Sequence, residues 1–256
     1  MLVDTHCHLH LLDGSADELL AQARSEGVAR LVDVGIDLPS SRQAADDAAR
    51  LAPLSATAGV HPHDASQVSG AVLDELRRLL EREEVVAAGE TGLDYYRDRS
   101  PRDQQRAAFA AHVRLARELD KALVVHCRDA FEDVVGVLET TGPPQRVVFH
   151  CFTGDVEQAA RVVDAGWLVS FSGTVTFRNA PGQREACAAV PLDRMVLETD
   201  SPFLTPHPYR GEPNRPGRVA VTAATVAAVH GVTVEEVARV TSATASHAFR
   251  LPPLDG

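Results

Sequence analysis

The chain has 256 residues, 45% of them hydrophobic and 24% charged, with a formal net charge of −11. These are globular proportions that exclude intrinsic disorder, and the length suits one large α/β domain that folds without a disulfide or structural metal. The acidic balance excludes a protein that coats long nucleic acid through a basic surface. Against this plain background stand 11 histidines, with His6, His8, His10, His61, His63, His126 and His150 all in the first 150 residues.

Met1-Leu2-Val3-Asp4 offers no basic stretch leading into an apolar run, so no secretory signal is expected, and no uncharged apolar run reaches membrane-spanning length. Strands are predicted at residues 2–8, 30–36, 55–61, 85–90, 122–127, 146–151, 167–173 and 195–200. Several are nearly continuous Val/Leu/Ala runs, as parallel strands covered on both faces should be. Helical patterns lie between them. Ser15-Ala16-Asp17-Glu18 and Thr233-Val234-Glu235-Glu236 read as capping boxes, Gly27 as a helix exit, and Pro39 and Pro101 as first-turn prolines, the latter opening residues 101–120. Residues 201–217, rich in Pro, Gly and Arg, read as a long loop followed by two closing helices. Eight strand-plus-helix units predict an α/β protein, a single-domain (β/α)8 TIM barrel over residues 1–256. The alternative, a doubly wound open sheet, lacks its Gly-rich first turn.

Placed on this frame, the polar residues converge. His6 and His8 share one face of the first strand. His61, Glu90, His126, His150 and Asp200 close the third, fourth, fifth, sixth and eighth predicted strands. The C-terminal rim of a parallel barrel is where active sites are built. A lone histidine at a strand end is usually structural; the agreement of six strand ends points to a metal site. Four of the histidines and the two carboxylates suit zinc, manganese or magnesium, and six ligands are too many for one tetrahedral ion but fit two ions sharing a carboxylate. Cys7, Cys127, Cys151 and Cys187 have no CxxC spacing. The first three each follow a candidate ligand, so on a strand they face away from the site as inert core thiols, in a cytoplasmic protein.

The motifs resemble those of the TatD family of metal-dependent hydrolases. They are Asp4-Thr5-His6-Cys7-His8-Leu9, Gly59-Val60-His61-Pro62-His63, Gly89-Glu90-Thr91-Gly92-Leu93-Asp94-Tyr95-Tyr96, Val125-His126-Cys127-Arg128-Asp129-Ala130, His150-Cys151-Phe152-Thr153-Gly154 and Phe171-Ser172-Gly173-Thr174-Val175-Thr176-Phe177. Glu198-Thr199-Asp200-Ser201-Pro202, Pro208-Tyr209-Arg210-Gly211 and Asn214-Arg215-Pro216 complete the ordered series. The resemblance implies a barrel of the metallo-dependent hydrolase type with two divalent ions (Mg, Mn or Zn). It assigns His6, His8 and Asp200 to one ion, His126 and His150 to the second, and Glu90 to both. It implies a 3′→5′ deoxyribonuclease acting on a single-stranded DNA end, or else hydrolysis of another ester, as by a D-aminoacyl-tRNA deacylase or a small-molecule phosphoesterase. The chain departs from the family pattern at His10, where Asp is usual, and at Ala245-Ser246-His247-Ala248, where Asn is usual.

In that mechanism Asp200 is both ligand and general base, and Glu90 is the bridging catalytic carboxylate. His61 and His63 are candidates to contact a phosphate or leaving oxygen. Arg128 and Arg210 are candidate phosphate clamps, with a surface salt bridge and a loop contact as their structural alternatives. Tyr95 or Tyr96 either stacks on a base or packs. His10 is read as a turn or surface residue. A rival amidohydrolase with a carboxylated lysine bridge is disfavoured, because the one lysine, Lys121, precedes the fifth strand at the opposite rim. A catalytically dead scaffold is disfavoured because no expected ligand is missing. No membrane and no obligate protein partner are expected.

Overall fold

The computed structural model describes residues 1–251. Eight strands lie in one parallel sheet in chain order: β1 (Leu2–Cys7), β2 (Val28–Val34), β3 (Leu54–Ala58), β4 (Val85–Asp94), β5 (Ala122–Arg128), β6 (Val147–Phe149), β7 (Leu168–Phe171) and β8 (Met195–Leu197). Between them run α1 (Ala16–Ser25), α2 (Leu38–Arg50), α3 (Gly70–Leu80), α4 (Arg102–Glu118), α5 (Phe131–Thr141), α6 (Val156–Asp164) and α7 (Pro181–Ala189), and after β8 come α8 (Val219–His230) and α9 (Val234–Phe249). This is the expected (β/α)8 order. Among the described residues no single helix is long and apolar enough to cross a membrane.

The chain forms two compact units, one of residues 1–33 with the described chain from Cys151 onward, the other Val34–His150. In the first unit β1 pairs with β2 from Leu2↔Val28 to Cys7↔Asp33, and β7 pairs with β8 from Val169↔Met195 to Phe171↔Leu197. The chain beyond β8 rejoins the end of β1: Asp200 N–H donates to the His6 carbonyl and His8 N–H to the Ser201 carbonyl, both at 2.8 Å. Leu31, Phe171, Met195, Leu197 and Phe249 are fully buried there.

In the second unit β3 pairs with β4, β4 with β5 and β5 with β6. Leu76, Leu80, Leu93, Phe109, Leu123, Leu138 and Phe149 fill its core. Here β4 runs on to Asp94, past the predicted end at Glu90, because Thr91–Asp94 resume pairing with Val125–Arg128 after a register shift. Gly92 allows this: at φ +146° its α-carbon lies so close to β5 that a β-carbon would stand 2.0 Å from the His126 carbonyl oxygen.

Other strands are shorter than predicted. β3 stops at Ala58, so His61 is not a strand end; it caps a 3-10 turn, Pro62–Gln67, accepting the His63 N–H on its ring. Similarly β6 ends at Phe149 and β8 at Leu197, which leaves His150 and Asp200 on the loops beyond. Cys151 is therefore also off the strand and half-buried, with Sγ 3.4 Å from Ser172 Oγ, and strand alternation does not set its direction. Among the predicted helix signals, Ser15 forms the full capping box and Pro39 sits in the first turn of α2 behind Asp37. Pro101 lies one step outside, as the N-cap residue of α4. At α9 only half the box forms: Thr233 accepts the Glu236 N–H, while the Glu236 carboxylate pairs with Arg239.

Candidate metal centre

In the first unit His6 lies on β1, fully buried, and His8 lies one residue past its end. Their Nε2 atoms face each other at 3.3 Å. Asp200 Oδ1 is 3.3 Å from His8 Nε2 and 3.7 Å from His6 Nε2. Asp200 holds a left-handed backbone (φ 56°), which Asp tolerates better than most residues. Buried Asp4 holds this arrangement together. It accepts from Thr199 N–H at 2.9 Å, Thr199 Oγ1 at 2.6 Å and the His6 amide at 3.3 Å, tying the strand of His6 to the residue before Asp200. Burial nevertheless pushes the Asp4 carboxyl up to about 8. Three donor atoms from His6, His8 and Asp200 lie within 4.8 Å of one another, two imidazole nitrogens and a carboxylate oxygen, a set that fits zinc, manganese or magnesium.

The second unit has its own group. Buried Glu90 on β4 places Oε1 2.7 Å from His126 Nδ1, 2.7 Å from His150 Nε2 and 3.4 Å from His61 Nε2. His126 Nδ1 and His150 Nε2 are 3.3 Å apart. Burial alone would raise the Glu90 carboxyl, but His150, His61 and His126 hold it well below the usual range, so it is an anion. Burial lowers His61 to about 4 and keeps its ring neutral. A neutral His61 that accepts the His63 N–H on Nδ1 carries its proton on Nε2, facing Glu90. An anion ringed by imidazole nitrogens from His61, His126 and His150 is again a donor set for a divalent cation.

The remaining candidates spread outward. His63 Nε2 meets Asp94 Oδ2 at 3.1 Å, and its ring packs on His61 with centroids 4.2 Å apart. Arg128, at the exposed end of β5, lies 4.2 Å over the Tyr96 ring. Arg210 lies 4.2 Å over Phe177 and donates to the Thr205 carbonyl. The Tyr95 hydroxyl donates to Asp133 while Tyr96 is exposed. His10 sits in a 3-10 turn with its ring 5.7 Å from His8. Lys121 Nζ donates to the Arg82 and Val85 carbonyls at the start of β4. Cys7 and Cys187 are buried and Cys127 is half-buried; burial pushes the Cys127 and Cys187 thiols up to about 12 and raises Cys7 well above the usual thiol range, so these three are unreactive.

Sequence reasoning passed over Asp94 and Phe203. Asp94 is buried and meets both His63 and His126; it shares strand parity with Glu90, a signal hidden by ending the strand four residues early. Phe203 is exposed with its ring 6.1 Å from His8, and its only sequence signal was nearness to Asp200.

The family described as TatD related DNase matches residues 3–250. The chain belongs to the TatD family. It is a metal-dependent hydrolase, and its relatives bear similar names. It is 39% identical over 254 residues to the uncharacterized metal-dependent hydrolase YabD of Bacillus subtilis, covering 98% of this chain and 100% of that one. It is 37% identical over 221 residues to the protein named 3'-5' ssDNA/RNA exonuclease TatD of Klebsiella pneumoniae, covering 84% of each. The crystal structure of YJJV, a TatD homolog from Escherichia coli, superposes with a TM-score of 0.92 at 29% identity over 98% of both chains, and so shows the same TatD-family (β/α)8 fold.

Proposed function

We propose that this TatD-family hydrolase is a deoxyribonuclease that releases nucleotides from the 3′ end of single-stranded DNA, using two divalent ions, Mg, Mn or Zn. The observation that carries the reading is the pair of histidine and carboxylate groups, His6, His8 and Asp200 in one unit and Glu90, His126 and His150 in the other. The relative named as a 3'-5' ssDNA/RNA exonuclease supports the choice of substrate. In this reading residues 1–256 act as one catalytic domain; His6, His8 and Asp200 would hold one ion, and Glu90, His126 and His150 would hold the other. Bound divalent ions acidify water and neutralise phosphate charge. Asp200 accepts the proton of the attacking water at its carboxylate. His61, with its proton on Nε2, donates to a phosphate oxygen, and His63 supports it from the adjoining turn. Arg128, held over the Tyr96 ring, pairs its guanidinium with a second phosphate, and Arg210 plays the same part above Phe177. The four free thiols suit the cytoplasm.

The test strips the protein of metal, resupplies magnesium, manganese or zinc, and offers a short single-stranded DNA with a free 3′ end, an aminoacyl-tRNA and a generic phosphodiester. Stepwise nucleotide release from the DNA is expected. Turnover of one of the other two esters, with no nucleotide release under any metal, would overturn the nuclease reading.

A further inference from the structure

We propose that Asp94 is a positioning residue for the Glu90 group, holding the His126 ring in the orientation and tautomer that present Nδ1 as the donor atom. The inference rests on the reading that this group binds a divalent ion. Asp94 Oδ2 lies 3.1 Å from His126 Nε2, while His126 Nδ1, on the opposite side of the ring, faces Glu90 Oε1 at 2.7 Å and His150 Nε2 at 3.3 Å. Donation through Nδ1 requires the ring proton to sit on Nε2, and a carboxylate that only accepts is the group that keeps it there.

Asp94 itself cannot turn. Its Oδ1 accepts the backbone N–H groups of Tyr96 at 3.1 Å and Arg97 at 2.7 Å. Its own amide donates to Gln105 Oε1 at 2.9 Å, and its carbonyl accepts from Gln105 Nε2 at 3.3 Å. Gln105 is fully buried in α4. The two carboxylate oxygens thus do different work: Oδ1 builds the turn after β4, and Oδ2 orients two imidazoles, His126 and His63.

That division makes Asp94→Asn informative. The amide oxygen can still cap the Tyr96 and Arg97 N–H groups, which puts the amide NH2 toward the rings. An NH2 cannot accept from Nε2–H, so His126 must move its proton to Nδ1 and lose its donor lone pair. In the zinc-loaded full-length protein, ¹⁵N NMR of the histidine rings is expected to show His126 ligating through Nδ1 with its proton on Nε2. In Asp94→Asn the proton should move to Nδ1, and titration with zinc alone should show one site weakened by roughly 10–100-fold. His63→Gln removes the other ring from Oδ2 and should leave both zinc affinities within about twofold. Ligation through Nε2 in the wild-type protein would overturn the proposal without any variant. So would an Asp94→Asn protein with unchanged tautomer and affinity, since a residue that only shapes the turn would give that result. If the wild-type protein bound no zinc at this group while the His126 ring of the metal-free protein still reoriented in Asp94→Asn, the positioning role would stand and the two-ion reading of function would fall.

Discussion

Glu90 is a buried carboxylate kept ionised by three imidazoles, an arrangement with a large cost unless a cation completes it. Asp200 keeps the same donor type but is partly exposed beside His8, where water can reach it. The two carboxylates should therefore fail differently. Asp200→Asn should lower kcat by about 10²–10⁴-fold with the fold intact, the range set by a lost general base. Glu90→Gln should lower zinc or manganese affinity as well as kcat, read by calorimetric titration alongside turnover. Near-normal turnover in a folded, metal-replete Asp200→Asn protein would remove Asp200 from the base role. At this scale the donor residues were legible because their types and order recur along the chain. Asp94 was not, because its role depends on which ring nitrogen of His126 it meets, and ring orientation is set by packing.

At the scale of elements, the helices were the more legible part. Ser15 and Thr233 mark helix starts because capping is a local exchange between a side chain and the N–H three residues on, and Pro39 marks one because its fixed φ suits a first turn. Strand ends were misplaced where pairing with a neighbour decides them: β4 runs on because β5 supplies partners, and β3 stops where Gly59 packs on the Gly89 backbone. His112 shows the same dependence between elements. It lies fully buried on α4, donates from Nδ1 to the Ala108 carbonyl, and accepts the Val60 N–H on Nε2 at 3.1 Å. Burial lowers it to about 4 in the folded protein. The unfolded chain takes up this proton near pH 6.5 and the folded protein only near 4, so the neutral ring costs nothing above about pH 6.5 and stability is lost as pH falls from there toward 4. The limiting slope is about 1.4 kcal/mol per pH unit for one proton. Thermal melts of His112→Gln, which retains one donor and one acceptor, should show a shallower loss over that window than wild type. Parallel curves would assign the acid sensitivity elsewhere.

For the whole molecule, the formal charge of −11 opposes the polyanionic substrate proposed above, and in that proposal divalent ions would supply the local attraction that the chain as a whole does not. The same ions should stabilise the folded protein, because the donor residues come together only on folding. At an ion concentration 100 times the dissociation constant the gain is about 2.7 kcal/mol per site, or a rise in Tm of roughly 5–10 °C for a chain of this size. Scanning calorimetry with and without manganese reads this directly, and a Tm indifferent to manganese and zinc would argue against folded-state ion sites. The sequence by itself determined the alternation of strands and helices, the histidine and carboxylate donor types and the family, since periodicity, caps and motif order are written along the chain. Only the tertiary structure decided which atoms meet. Asp4 reaches Thr199 across 195 positions, and Asp94 and Glu90 take the two different nitrogens of one imidazole. Those contacts follow from strand register and side-chain rotamer, which depend on every neighbour in the sheet and on no local run of residues.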